Sequence, residues 1–72
     1  MSTNVPIHIQ VNGEPQATAD GQTVLGLLRE LQLDAARVAV ELDRRIVKQP
    51  QWSETALRDG AQVEIVQFVG GG

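Results

Sequence analysis

One segment of this chain repeats its apolar residues with helical spacing, and the other apolar segments alternate. Val24, Leu27, Leu28 and Leu31 fall at i, i+3, i+4 and i+7, which places all four on one side of a helix and gives that helix a single apolar stripe. Thr23 stands just before the stripe and is a residue type whose hydroxyl accepts from a free amide of the first turn. Arg29 and Glu30 take the water side. Gly26 lies inside the segment, where glycine is worse than alanine by about 1 kcal/mol; it reads as a tolerated weakness rather than a close-packing site. A helix with one stripe covers one surface, so the rest of the chain is expected to form a sheet with one buried face.

The alternating segments supply that sheet. Ile7, Ile9 and Val11 interleave with His8 and Gln10, the period of a strand buried on one side. Asn12-Gly13 follows at once, a pair that accepts the positive φ values of a tight hairpin, so Glu14 to Ala19 should return as the second strand before Asp20-Gly21 breaks it. After the helix and a linker at Asp34-Ala35-Ala36-Arg37, Val38 to Leu42 alternates again. Asp43-Arg44-Arg45 reads as a turn into a short strand at Ile46-Val47, which Pro50 ends. Ser53 is expected to cap a brief helical turn through Leu57, and Asp59-Gly60 to turn the chain into a last strand from Gln62 to Phe68. Two strands, a helix and two or three further strands make an α+β chain of β-β-α-β-β order, a mixed sheet covered on one face by one helix. That is the order of the β-grasp, or ubiquitin-like, architecture. It predicts a single domain over residues 1–72 with a flexible glycine tail at 69–72.

Composition narrows the function by exclusion. A 72-residue chain buries only about 60% of the surface its unfolded form exposes, which leaves no room for a deep catalytic cleft. The absence of cysteine removes disulfides, thiol nucleophiles and sulfur-ligated zinc, and fits a reducing cytoplasm. A net charge of −3, with Arg44-Arg45 as the sole basic pair, argues against a nucleic-acid binder. No segment approaches the roughly 20 apolar residues of a bilayer span, and the start lacks a basic region followed by an apolar one. The expectation is a cytoplasmic protein with no membrane association. His8 is the single histidine, at an outward strand position, and reads as solvated. Glu41 with Asp43, and Glu54 with Asp59, read as surface and turn residues rather than general acids. No set of metal ligands can be assembled, and the glycines match no phosphate-binding loop. Trp52 reads as a buried plug of its loop in preference to a partner anchor.

Two features of the last strand carry function. Val63 and Ile65 point to one face while Val66 and Phe68 point to the other. If the first pair packs under the helix, the second forms an apolar patch on the open face where a partner docks; a β-bulge that turns Phe68 inward is the alternative. Directly after it comes Val69-Gly70-Gly71-Gly72. Glycines without side chains let an extended tail thread a slot too narrow for other residues, so the Gly72 carboxylate is the expected reactive group, with Gly71 and Gly70 giving reach.

The run from Val38 to Trp52, then Leu57-Arg58-Asp59-Gly60, then Val63 to Gly72, together with Asn12-Gly13 and Gly21-Gln22-Thr23 ahead of the leucine-rich helix, resembles the ThiS family of sulfur carriers in thiamine biosynthesis. The resemblance covers Ile7 to Gly72. Departures are Asp43 where asparagine is common, Lys48-Gln49 for a usual Pro-Arg, Ala61 for an acidic residue, and a triple rather than double terminal glycine. The related carriers that supply sulfur for molybdopterin are usually longer between helix and last strand and lack a Trp52 loop.

What the resemblance implies is a carrier without an active site of its own. An adenylating enzyme of the ThiF type, using ATP and magnesium, would activate the Gly72 carboxylate. A sulfur donor such as a cysteine desulfurase would convert it to a thiocarboxylate, and a thiazole synthase of the ThiG type would receive the sulfur. The free protein would bind no cofactor and be a monomer, with Val66 and Phe68 as the docking residues. Two other readings stay open at this point: a small subunit like that of molybdopterin synthase, and a ubiquitin-like interaction module that does not use its tail.

Overall fold

The computed structural model describes residues 5–68. Its sheet contains β1 (Ile7–Val11), β2 (Glu14–Thr18), β3 (Val38–Leu42), β4 (Arg45–Val47) and β5 (Gln62–Gln67), crossed by one helix, α1 (Val24–Glu30). The strand order is β2-β1-β5-β3-β4. β1 and β5 run parallel, and the other three pairings are antiparallel. This is the mixed, one-helix sheet expected from the sequence, with three strands after the helix.

The alternation of each strand sorts its side chains. Ile7 and Ile9 of β1, Val38 and Val40 of β3, and Val63 and Ile65 of β5 are buried on the face that α1 covers. Val24, Leu27 and Leu28 of α1 meet them, with Leu31 packed at the margin. Thr23 caps the helix as expected, its hydroxyl accepting from Gly26 N–H at 3.0 Å. The helix ends on Gln32, whose φ of 58° lets Gln32 N–H reach Arg29 C=O and Leu33 N–H reach Leu28 C=O at 2.9 Å, the paired closure of a Schellman end.

The loop after β4 differs from expectation. No helix starts at Ser53. A 3-10 turn spans Gln49–Gln51, with Pro50 near its start, so Pro50 opens a turn as well as ending a strand; its fixed φ suits a first helical position. The carbonyls beyond are already in use. Trp52 C=O accepts from Leu25 N–H at 3.1 Å, and Thr55 C=O from Val24 N–H at 2.9 Å. They satisfy amides that the first turn of α1 cannot bond internally, and Leu57 N–H, which would have to reach Ser53 C=O to close a helical turn, donates to Gln22 C=O at 2.7 Å instead. Asp34 to Arg37 is likewise more than a linker: Ala35–Arg37 forms a 3-10 turn capped by Asp34.

Gly26 also departs from its reading. A Cβ there would run into Gln22 Oε1 and stand 2.9 Å from Gln22 Cδ. That amide is held in place, accepting from Thr23 N–H at 3.1 Å and donating to Thr18 Oγ1 at 3.3 Å. Gly26 is a close-packing site. Trp52 is the plug it was read as, 3% exposed, with Nε1–H donating to Val47 C=O at 2.7 Å.

Candidate functional site

β5 is fixed at both ends and along both edges. The Asp59-Gly60 turn that launches it is tied to β1, with His8 N–H donating to Asp59 Oδ1 at 2.8 Å and Gly60 N–H to His8 C=O at 2.7 Å. His8 itself is exposed on the strand surface. Asp43, in the β3–β4 turn, exchanges two bonds with Gln62: its N–H donates to Gln62 C=O at 2.8 Å and its Oδ1 accepts from Gln62 N–H at 2.9 Å. Two residues read as surface acids, Asp43 and Asp59, therefore hold the start of the strand. The sequence showed them as turn formers but not as ligands of a distant segment.

Farther along, β1 has ended, and Asn12 extends its edge with a side chain. Asn12 Oδ1 accepts from Ile65 N–H at 2.7 Å and Nδ2 donates to Ile65 C=O at 3.2 Å. On the other edge the β3 pairing runs without interruption from Leu42↔Val63 to Val38↔Gln67, and Phe68 N–H donates to Arg37 C=O at 2.7 Å. The last described residue, Phe68, is thus fixed to the sheet.

The unbroken register decides the parity question. No bulge turns the strand end, and Val66 and Phe68 stand on the open face, 59% and 55% exposed. Ala39 lies directly opposite Val66. Ile46, on the same face of β4, is 73% exposed and extends the apolar surface. Gly70, Gly71 and Gly72, named from the sequence as tail and reactive terminus, lie outside the described residues. Among the described residues no group of three or more His, Asp or Glu side chains is placed to hold a metal ion, and no helix is long and apolar enough to cross a membrane.

A β-grasp sheet whose last strand is bonded along both edges up to Phe68, with an exposed apolar pair at its end, defines a small ubiquitin-like protein. The comparisons narrow the class. The ThiS family model matches residues 9–72. The chain is 33% identical over 66 residues to the sulfur carrier protein ThiS of Escherichia coli, covering 92% of this chain and 100% of that one. It is also similar to the crystal structure of the thiamine biosynthesis protein ThiS from Geobacter metallireducens, with a TM-score of 0.80 at 33% identity, covering 92% of this chain and 100% of that chain. A third similarity is to the thiazole synthase of Paramagnetospirillum magneticum, 42% identical over 62 residues. The match takes in 86% of this chain and 19% of that protein, so the chain spans about a fifth of the length of the thiazole synthases it matches. The chain belongs to the ThiS family.

Proposed function

We propose that the protein is a sulfur carrier of thiamine biosynthesis that works through the carboxylate of Gly72 and has no active site of its own. The observation that carries this reading is the anchoring of β5 up to Phe68 in a chain of the ThiS family, which gives a rigid body with a glycine run attached. A C-terminal carboxylate is an anion at neutral pH and resists nucleophiles, so activation must come from a partner. In an adenylating enzyme holding ATP and magnesium, the Gly72 carboxylate attacks the α-phosphorus and pyrophosphate leaves, giving an acyl-adenylate. The persulfide of a donor such as a cysteine desulfurase then attacks the carbonyl carbon and AMP departs, giving an acyl disulfide; a thiol reductant attacks the donor's sulfur, forms a disulfide with it and releases the thiocarboxylate. With no cysteine, the chain has no thiol on which sulfur could ride instead.

The acceptor on this reading is a thiazole synthase. Support comes from the thiazole synthases in which a ThiS-like stretch forms about a fifth of a longer chain; there the two units are kept at high effective concentration. The work belongs in the cytoplasm, where ATP is supplied. The test is to incubate the protein with the adenylating enzyme, ATP, magnesium and a sulfur source, and then to fragment it in the mass spectrometer. Oxygen-to-sulfur exchange localised to Gly72 is the expected result. An unmodified Gly72, with a partner shown to be active on another carrier, would reject the reading.

A further inference from the structure

An asparagine followed by glycine is open to cyclisation, in which the next residue's amide nitrogen attacks the side-chain carbonyl carbon, because glycine has no side chain to crowd the approach. Of the two asparagines in the chain, Asn12 precedes Gly13 and Asn4 precedes the β-branched Val5. Asn12 and Gly13 are both exposed, so water reaches them. Gly13 N–H takes part in none of the turn and loop hydrogen bonds of the described residues, which leaves the nucleophile unengaged. At the Asp59-Gly60 turn the corresponding nitrogen is occupied, donating to His8 C=O at 2.7 Å. The electrophile at Asn12 is what the fold restrains. Both polar atoms on its Cγ are held by Ile65, Oδ1 accepting from Ile65 N–H at 2.7 Å and Nδ2 donating to Ile65 C=O at 3.2 Å. Ring closure pulls Cγ back onto the main chain of the turn and expels Nδ2, and neither bond survives it.

We propose that Asn12 is a deamidation site gated by its clamp on Ile65, and that its conversion releases β5 from the edge that Asn12 covers. When the clamp opens, Gly13 N gives up its proton to solvent base and bonds to Asn12 Cγ, and Nδ2 leaves as ammonia. Water is the one co-reactant and adds to the cyclic imide at either carbonyl. Breaking the Cγ–N bond gives aspartate; breaking the bond from Gly13 N to the main-chain carbonyl carbon gives isoaspartate. Neither product can hold Ile65 as before. In the aspartate an anionic oxygen takes the place of Nδ2 and faces Ile65 C=O, so a donor is replaced by a second acceptor. In the isoaspartate the main chain runs through the former side chain and gains a methylene, in a two-residue turn that sets the Val11↔Glu14 register. Two hydrogen bonds keep the clamp closed, so the open form is about a tenth or less of the population. Conversion makes that opening permanent, and the fold records it as a loosened β5.

The test compares the full chain, at mildly alkaline pH, in buffer that keeps it folded and in urea that unfolds it, with amide-to-acid exchange localised by fragmentation in the mass spectrometer. In urea, Asn12 should convert well ahead of Asn4, whose attacking nitrogen belongs to a β-branched residue. Gly13→Ala should slow that conversion in urea, where no native turn is at stake. In the folded protein, Asn12 should convert about tenfold or more slowly than in urea. As low concentrations of urea are added, its rate should rise in step with hydrogen exchange at Ile65 N–H, since both require the same opening. Protein already converted should exchange Ile65 N–H faster than unconverted protein and melt at a lower temperature. Asn12→Asp, which reproduces one product without the ring chemistry, should do the same. Equal rates in the folded and unfolded protein, or a folded-state rate that does not follow exchange at Ile65, would remove the clamp as the gate and overturn the proposal. No conversion of Asn12 in urea would overturn it by removing the site, and unchanged exchange at Ile65 in converted protein by removing the release of β5.

Discussion

Asn12 holds Ile65 by both of its backbone polar atoms, through bonds of 2.7 and 3.2 Å across 53 positions of sequence. The same asparagine takes a φ of 52° as the first residue of the β1–β2 turn. One residue therefore closes the first hairpin and substitutes for the strand residues that β1 lacks beside β5. Asn12→Gly keeps the turn, because glycine accepts positive φ freely, and removes the clamp; it should lower stability by about 1–2 kcal/mol in urea unfolding. Asn12→Ala adds backbone strain and should fall about 1 kcal/mol further. Hydrogen exchange at Ile65 N–H should quicken in both, and an unchanged rate in Asn12→Gly would show that the clamp does not protect the strand.

The β3–β4 turn places two residues with side chains at positive φ, Asp43 at 50° and Arg44 at 71°. Turns of this hand favour asparagine or glycine. Asp43 is offset by its two bonds to Gln62, whereas Arg44 has no hydrogen bond or ion pair among the described residues. Arg44→Gly should raise stability by about 0.5–1 kcal/mol, a few degrees in melting temperature for a domain of this size. A fall in melting temperature would mean that the arginine stem packs usefully where it lies.

Gly26 and Gln22 form a coupled pair. Alanine is the better helix former by about 1 kcal/mol, yet a Cβ at Gly26 collides with an amide that bonds Thr23 and Thr18. Gly26→Ala alone is expected to be neutral or destabilising. In a Gln22→Ala background the same change should stabilise, giving a coupling of about 1 kcal/mol in a double-mutant cycle. Additive effects would show that the Gln22 amide swings aside without loss.

Trp52 joins the loop to the core twice, through its buried indole and through the Nε1–H bond to Val47 C=O at 2.7 Å. Trp52→Phe keeps much of the apolar volume and orphans that carbonyl, so a loss of about 1–3 kcal/mol is expected; Trp52→Ala should lose about 3–5 kcal/mol. Equal losses in the two would assign the whole contribution to the hydrogen bond. Because Trp52 C=O accepts from Leu25 N–H, faster exchange at Leu25 should accompany either change.

How far the fold could be read in the sequence follows from the range of each cause. The stripe of Val24, Leu27 and Leu28, the alternation of Ile7 and Ile9, and the Asn12-Gly13 turn are local, and the structure keeps all of them. Asn12 was legible as a turn residue and illegible as a clamp, since nothing in its neighbourhood refers to Ile65. The parallel β1–β5 pairing is equally remote. Ser53 looked like a helix cap because the bond from Leu57 N–H to Gln22 C=O, which replaces the one a helical turn needs, arises only after folding. Gly26 looked like a weakness because propensity considers the helix alone and takes no account of the Gln22 amide that folds over it. That Val66 and Phe68 have the opposite parity to Val63 and Ile65 was readable, but the choice between an open-face patch and a bulge was not; the uninterrupted pairing with β3 makes that choice.

That parity leads to the most direct test of the carrier's recognition surface. Val66 and Phe68 are more than half exposed and add little to the core, so Val66→Thr/Phe68→Thr, which keeps residues suited to a strand, should change stability by no more than about 1 kcal/mol. Affinity is a different matter. An exposed aromatic just after the last strand, beside a β-branched neighbour on the same face, is the kind of residue that dominates an interface. On the proposed reading the double variant should bind the adenylating enzyme about 10 to 100 times more weakly in calorimetric titration. Sulfuration of Gly72 should recover as the enzyme concentration is raised, because the tail itself is unchanged. Wild-type affinity in a variant with an intact fold would remove these two residues from the interface and leave the tail as the sole recognition element.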